Sequence, residues 1–475
     1  MTPVAPKLGL AIRRAYWPIF ACIQAWVACS EPASQMPNDG SAGVPMGGEP
    51  AFVDAGSGAG FGGTSVQYVP DASAGTSTSN AGEAGNAGAA GSSDVAGSGG
   101  GPGLPDAGTG GVGEPDFVPA PHAPFPLVSA HGGPVLKNLE LVPVYFGADD
   151  PLRAELELFN SWIVTSDYWQ KTGAEYGVFI GTRLATVQFP GPSTSSISIT
   201  QIATWLDARI SEGALPKPSA NTLFALFYQA GVAITTATGT SCRAFAAFHD
   251  SVAIDNPVFT GNIHFAIIPR CSFSPGDELQ IVTDVASHEY MESATNPLPI
   301  ANPGWMMDNA SGPLEAWSML SGPAVADLCL NQAYDVVDGY SVNDIWSNAA
   351  AQAGNNPCQP SDPSYPFFSV SADATIYHAA PGSTLNIRAR AWSNRPAPNW
   401  TLGVNWGWVP YSDFDGQATL SQTTVNNGDE LTATVTIPAD LPLVAGRSVY
   451  RFTIDSIDPI NPNFSHPWPF MVVVP

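Results

Sequence analysis

The residues best placed to do chemistry lie between Asp284 and Pro297, in the order Asp-Val-Ala-Ser-His-Glu-Tyr-Met-Glu-Ser-Ala-Thr-Asn-Pro. On an α-helix, side chains four residues apart sit one above the other on the same face. His288 and Glu292 therefore offer an imidazole and a carboxylate to one point, as a pair of metal ligands does. Glu289 lies one residue along, where a His-Glu-x-x-His zinc hydrolase carries its general base. Glu292 stands where that motif has its second histidine, so the match is partial. An ordinary helix end, with a surface glutamate and a histidine capping nearby carbonyls, is the competing reading.

A catalytic zinc ion keeps three protein ligands and one open position. Asp327, in Ala326-Asp-Leu-Cys329, is the best downstream third ligand, because a disulfide at the adjacent cysteine would fix it. Asp308 and Glu315 are less well framed. Upstream, His249 and His264 fall in or beside strands, where a histidine is commonly a hydrogen-bonded structural residue. His249 is alternatively a ligand or an oxyanion-stabilising donor, and His131 is a further outside candidate. One imidazole and two carboxylates form a hard, anionic donor set that suits zinc and also admits manganese or calcium. A zinc ion there would lower the pKa of a bound water, and Glu289 would take its proton.

Those residues need a scaffold. Leu139–Phe146 is an apolar run suited to a buried strand, with Pro143 pointing to an edge or a bulge. Asp150-Pro151 opens a helix through Trp162. A second helix spans Thr200–Glu212, with Ile202, Ala203, Leu206 and Ile210 on one stripe and Gly213 as its stop. Strands are expected at Thr222–Tyr228, Ala244–Phe248 and Asn262–Ile268, followed by the motif helix from about Asp277 to Ser293. This order predicts a zincin-like α+β core over 120–362, its motif helix backed onto a sheet. From 363 to 475 the texture is all-β. Leu385–Ala391, Leu402/Val404/Trp406/Trp408 and Leu431/Ala433/Val435/Ile437 alternate at period two. About seven short strands predict an immunoglobulin-like sandwich. Its Trp392, Trp400, Trp406 and Trp408 suit core packing, or stacking on the sugars of a cell-surface polymer.

The N-terminal quarter is of another kind. Lys7, Arg13 and Arg14 precede an apolar stretch, Ala15–Ala28, too short to span a bilayer, and residues 1–28 read as an export signal. Trp26-Val-Ala-Cys29 resembles a lipoprotein box, which makes Cys29 the lipidation site and a lipid anchor the only membrane contact. Residues 29–119 are rich in Gly, Ala, Ser, Pro and Asp and predict a disordered tether with a reach of roughly 50 Å. The whole chain carries 16 Lys+Arg against 41 Asp+Glu, a net charge of -25 that repels phosphate backbones and excludes nucleic acid as a partner. Beyond Cys22 and Cys29, four cysteines remain, an even number in an oxidising compartment. Pairing them in order, Cys242–Cys271 and Cys329–Cys358, closes the shorter loops. A Cys-ligated zinc site is the rival, but no Cys-x-x-Cys spacing supports it.

His288-Glu-Tyr-Met-Glu292, Thr295-Asn-Pro297, Trp305 and Ala326-Asp-Leu-Cys329 occur in an order that resembles the EXORDIUM / phosphate-induced protein family and its bacterial relatives. Looser matches are His131-Gly-Gly-Pro-Val-Leu136, Cys242 with His249, and Ile267-Ile-Pro-Arg-Cys271. The likeness spans roughly His131 to Cys358. It implies a secreted or wall-associated protein, and it groups His288, Glu289, Glu292 and Asp327 as one constellation. Ala324 stands where that family has Glu, which places more weight on Asp327. Two functions follow as expectations. The first is an extracytoplasmic lipoprotein or secreted protein acting as a metal-dependent hydrolase of peptides or proteins. The second is a non-catalytic wall-associated or interaction protein.

Overall fold

The computed structural model describes residues 117–475, apart from 148–149, 238, 272–277, 309–313, 331–334, 410–416, 440–447, 461 and 463. The expected leader, Cys29, the tether as far as residue 116 and Asp277 lie outside these residues.

The sheet that carries the candidate site is built from β1 (Asn138–Phe146), β2 (Phe179–Arg183), β3 (Val187–Phe189), β4 (Thr222–Phe227), β5 (Phe248–Asp255) and β6 (Thr260–Ile268). Its order is β2-β1-β4-β6-β5, with β3 also pairing β1. All pairs are parallel except β6 with the edge strand β5. Every residue of β4 is buried, as expected for a strand covered on both faces. One face packs on α3 (Ile199–Ser211) through Ile202, Leu206 and Ile210, against Val142, Val144, Phe224 and Leu226. Each of those three helix side chains contributes about 1.5–3 kcal/mol by burial. The other face packs on α1 (Arg153–Ile163), α2 (Asp167–Gly173) and α4 (Glu278–Thr295), through residues such as Leu141, Leu223, Phe159 and Val285.

The expected zincin-like α+β core is therefore corrected. Among the described residues strand accounts for 39% and helix for 20%, spread over many small sheets, and no zincin-like core is formed. The main sheet is layered between helices on both faces, because runs such as Leu139–Phe146 and Thr222–Phe227 are apolar at successive positions and need cover on each side. Pro143 is also not at an edge. On one side β1 pairs β2 up to Leu141 and β3 from Val144, so Pro143 sits opposite the break between them. There its missing N–H costs no ladder bond. The strand expected at Ala244–Phe248 instead begins at Phe248; Ala244 ends a turn, and Phe245 makes only an isolated bridge to Ser241.

After the disulfide-bonded turns, residues 368–474 form a two-sheet β-sandwich. One sheet orders Phe368–Ser371, Thr384–Ser393, Glu430–Thr436 and Gln417–Leu420. The other orders Ile376–His378, Ser465–Val474, Ser448–Ile457, Trp400–Val409 and Thr424–Val425. Alternation places Ile387, Ala389, Leu431, Ala433, Phe452, Ile454, Trp468 and Phe470 between them. Trp392 and Trp400 are each 1% exposed and belong to this core. Phe125 joins the sandwich to the main-sheet region, its ring lying 5.6–6.1 Å from those of Trp317, Trp346, Phe367, Trp392 and Trp468.

Candidate metal centre

Helix α4 is buried on nearly every side from Ile281 to Thr295, so its polar residues have protein around them. Three contacts fix it. Ser287 Oγ accepts the Asn343 N–H at 2.8 Å. Tyr290 Oη donates to Asn160 at 2.8 Å, and Asn160 in turn donates to Tyr145 of β1 at 3.0 Å. At the C-terminal end, Asn296 N–H bonds the Glu292 carbonyl at 2.7 Å, and Asn296 Oδ1 accepts from Gly304 at 2.8 Å. Helix rotation and position are thus held by both neighbouring layers.

The helical spacing brings His288 and Glu292 together, with Nε2 to Oε1 at 3.4 Å. Asp327 approaches from a short 3-10 turn, Asp327–Cys329, its Oδ1 3.7 Å from His288 Nε2. Its own backbone N–H donates to Glu292 Oε1 at 3.1 Å. Ala324 N–H lies 3.4 Å from Asp327 Oδ2, so the position lacking an acid still serves through its backbone. Disulfides join Cys329 to Cys358 and Cys242 to Cys271, the pairing in chain order.

The edge strand supplies a fifth residue. Phe248, Val252 and Ile254 pack with the α3 layer, so alternation turns His249 toward α4. His249 Nδ1 lies 3.2 Å from Glu289 Oε2 and 3.5 Å from Glu292 Oε2. The other histidines are elsewhere. His131 Nε2 meets Asp308 and the Met306 carbonyl, each at 3.3 Å, and His264 faces the Pro297 carbonyl at 3.2 Å.

Side chains of the five clustered residues are between 6% and 12% exposed. Among the described residues no lysine or arginine forms an ion pair with Glu289, Glu292 or Asp327. Burial opposes charge on His288, but Glu292, Glu289 and Asp327 outweigh it and raise its pKa to about 10. Burial opposes charge on His249 as well, yet Glu289 and Glu292 carry its pKa upward. For Glu292 burial works against ionisation, and His288 and His249 reverse that to hold its pKa below the ordinary carboxylate range. Asp327 goes the other way: burial and the Glu292 charge push it well above its usual value. The cluster by itself thus retains protons that a bound cation would displace.

The donor atoms fit such a cation. Tetrahedral ligands about 2.1 Å from one ion are about 3.4 Å from each other. The His288–Glu292 and His288–Asp327 separations of 3.4 and 3.7 Å match that spacing and are long for hydrogen bonds. A cavity of about 470 Å³ on the sandwich, between Pro121–Ala123 and Arg388–Arg390, has none of these residues in its lining.

No protein-family model matches the chain, and no curated protein matches it. Solved structures show weak likenesses. Domains 4 and 5 of the S-layer protein SbsC share 16% identity over 23% of this chain and 53% of that one, with a TM-score of 0.17. The periplasmic chaperone SfaE shares 10% over 22% of this chain and 56% of that one, at 0.18. A β-glucosidase from Listeria innocua shares 11% over 73% of this chain and 48% of that one, at 0.15. The chain spans about half the length of these structures. At such scores the likenesses assign neither fold nor function.

Proposed function

We propose that the chain is an extracytoplasmic metal-dependent hydrolase whose substrates are peptides or proteins. The observation that carries this reading is the convergence of His288, Glu292 and Asp327, at co-ligand spacing, beside a third acid at Glu289. A zinc ion held by those three residues supplies Lewis acidity and an acidified water, and manganese fits the same donors. Glu292 and Asp327 fix the charge of the site, and the Asp327 N–H to Glu292 bond keeps the two acids from separating. Glu289, held by His249, accepts the proton released during attack on the amide carbonyl and returns it to the leaving nitrogen. The motif order shared with EXORDIUM-like proteins supports treating these residues as one unit. Attachment through Cys29 belongs to the same proposal: Cys29→Ala should release the protein from membranes, and an unchanged membrane fraction would contradict it.

A non-catalytic, wall-associated or interaction role is favoured by one observation, the deep burial of all five side chains, which limits substrate entry. Metal analysis of the purified full chain and a Glu289→Gln variant separates the readings. The hydrolase reading expects bound zinc in both proteins and peptide cleavage only in the parent. Absence of bound transition metal, or cleavage undiminished in Glu289→Gln, sinks it.

A further inference from the structure

Glu292 faces two imidazoles at once. Its Oε1 lies 3.4 Å from His288 Nε2, and its Oε2 lies 3.5 Å from His249 Nδ1. The donor atoms therefore form two triads, His288/Glu292/Asp327 and His249/Glu289/Glu292, each with its atoms within 4.8 Å of one another. Glu292 is the member they share. We propose that the cluster holds two divalent cations, the second bound by His249 and Glu289 with Glu292 bridging the pair through one oxygen to each ion. The first position is the one in the proposed function; the second rests on His249 and Glu289 separately.

Three arguments carry this. The first is geometric: a carboxylate that gives one oxygen to each of two ions suits the separation of about 3.5–4 Å seen in two-metal hydrolytic sites. The second is charge. Glu289, Glu292 and Asp327 bring three negative charges when ionised, and among the described residues no lysine or arginine pairs with them. One divalent ion leaves one buried negative charge, beside His249, for a proton or a second ion at that imidazole to balance. Two leave a single positive charge that one anionic ligand neutralises, and buried charges persist only when compensated. The third is rigidity. His249 sits on an edge strand in register with Ala266 of its neighbour, and both glutamates sit on a helix held from both sides. Monodentate ligation through Glu289 Oε2 leaves its other oxygen for the proton, so the second ion and the base role are compatible.

The test counts ions on the full chain. After chelation and dialysis, the protein is loaded with Zn²⁺ and its bound metal measured by mass spectrometry, and a second sample loaded with Mn²⁺ is examined by electron paramagnetic resonance. The proposal expects two equivalents in the parent, one in His249→Ala, and a spin-coupled manganese spectrum in the parent. One equivalent in the parent overturns the second position and leaves the proposed function standing; none overturns both. Two equivalents retained in His249→Ala, or two uncoupled manganese ions, also overturn the bridged pair. The spectrum of the parent decides the matter should His249→Ala fail to fold.

Discussion

The backbone N–H of Asp327 donates to Glu292 Oε1 at 3.1 Å, while the Asp327 carboxylate lies 3.7 Å from His288. One residue thus steadies a neighbouring acid with its main chain and faces the imidazole with its side chain. Asp327→Asn keeps the first contact and removes the second charge. Without metal, the variant should be as stable as the parent or more so, because the buried carboxyl that burial and Glu292 drive toward its protonated form is gone. With metal, it should lose the larger share of its stabilisation. Losing a partner outside the ligand shell costs about 10- to 100-fold in affinity, and losing a ligand should exceed that. Thermal melts with and without Zn²⁺ check both halves. A zinc-induced shift equal to that of the parent would remove Asp327 from the site.

Gly322 is the second lever on the same acid. Its φ is +130°, and a Cβ built there would meet Asp327 Oδ2 at 2.0 Å. Gly322→Ala therefore imposes backbone strain of about 1–3 kcal/mol and drives the carboxylate away from His288. Weaker zinc binding together with a lower melting temperature is expected. Unimpaired binding would mean that Asp327 can be supplied from another turn geometry.

Much of the candidate site was legible because it is local. His288, Glu289 and Glu292 follow from helical spacing alone, and Asp327 from its place beside Cys329. The stripe Ile202/Leu206/Ile210 and the stop at Gly213, whose φ is +73°, were readable for the same reason. What was not legible depends on pairing at long range. The parallel order of the main sheet and its helices on both faces arise from contacts far apart in sequence, so a motif helix beside strands imitates a zincin-like core in sequence alone. The sequence does not place His249, because the apolar Ala244-Phe-Ala-Ala-Phe248 imitates a strand and hides the alternation of Phe248, Val252 and Ile254 that orients it. The pairing of β1 with two successive strands, which accommodates Pro143, has no local signature.

Asp344 offers a test away from the metal ligands. It is 2% exposed and both carboxylate oxygens lack a hydrogen-bond partner among the described residues. Burial, with Asp335 and Asp284 nearby, pushes its carboxyl well above the usual range. An acid with a higher pKa folded than unfolded contributes fully below the unfolded value, about 3.9, and loses that contribution as pH rises toward the folded value. Asp344→Asn removes this loss. It should stabilise the protein at pH 8, less at pH 6 and scarcely below pH 4, with a slope of at most about 1.4 kcal/mol per pH unit. Urea unfolding at the three pH values measures it. A gain independent of pH would show that the carboxyl keeps its charge when folded.

Metal binding should itself report the protons held by the cluster. In the metal-free protein the acids around His288 raise its pKa to about 10, and those around His249 raise it as well. A proton on His288 contributes stability that is complete below about 6.5, the unfolded value, and is lost as pH rises through 10. A cation competes for the same nitrogen and needs the neutral ring. Affinity for Zn²⁺ should therefore climb as pH rises from 6 to 8, by about tenfold per unit for each proton displaced. Competition titrations against a chromophoric chelator give the slope, and calorimetry in buffers of different ionisation enthalpy counts the protons released. Replacing His249 should lower that slope while leaving one proton to be displaced from His288. A flat profile between pH 6 and 8 would mean that neither imidazole gives up a proton to the metal.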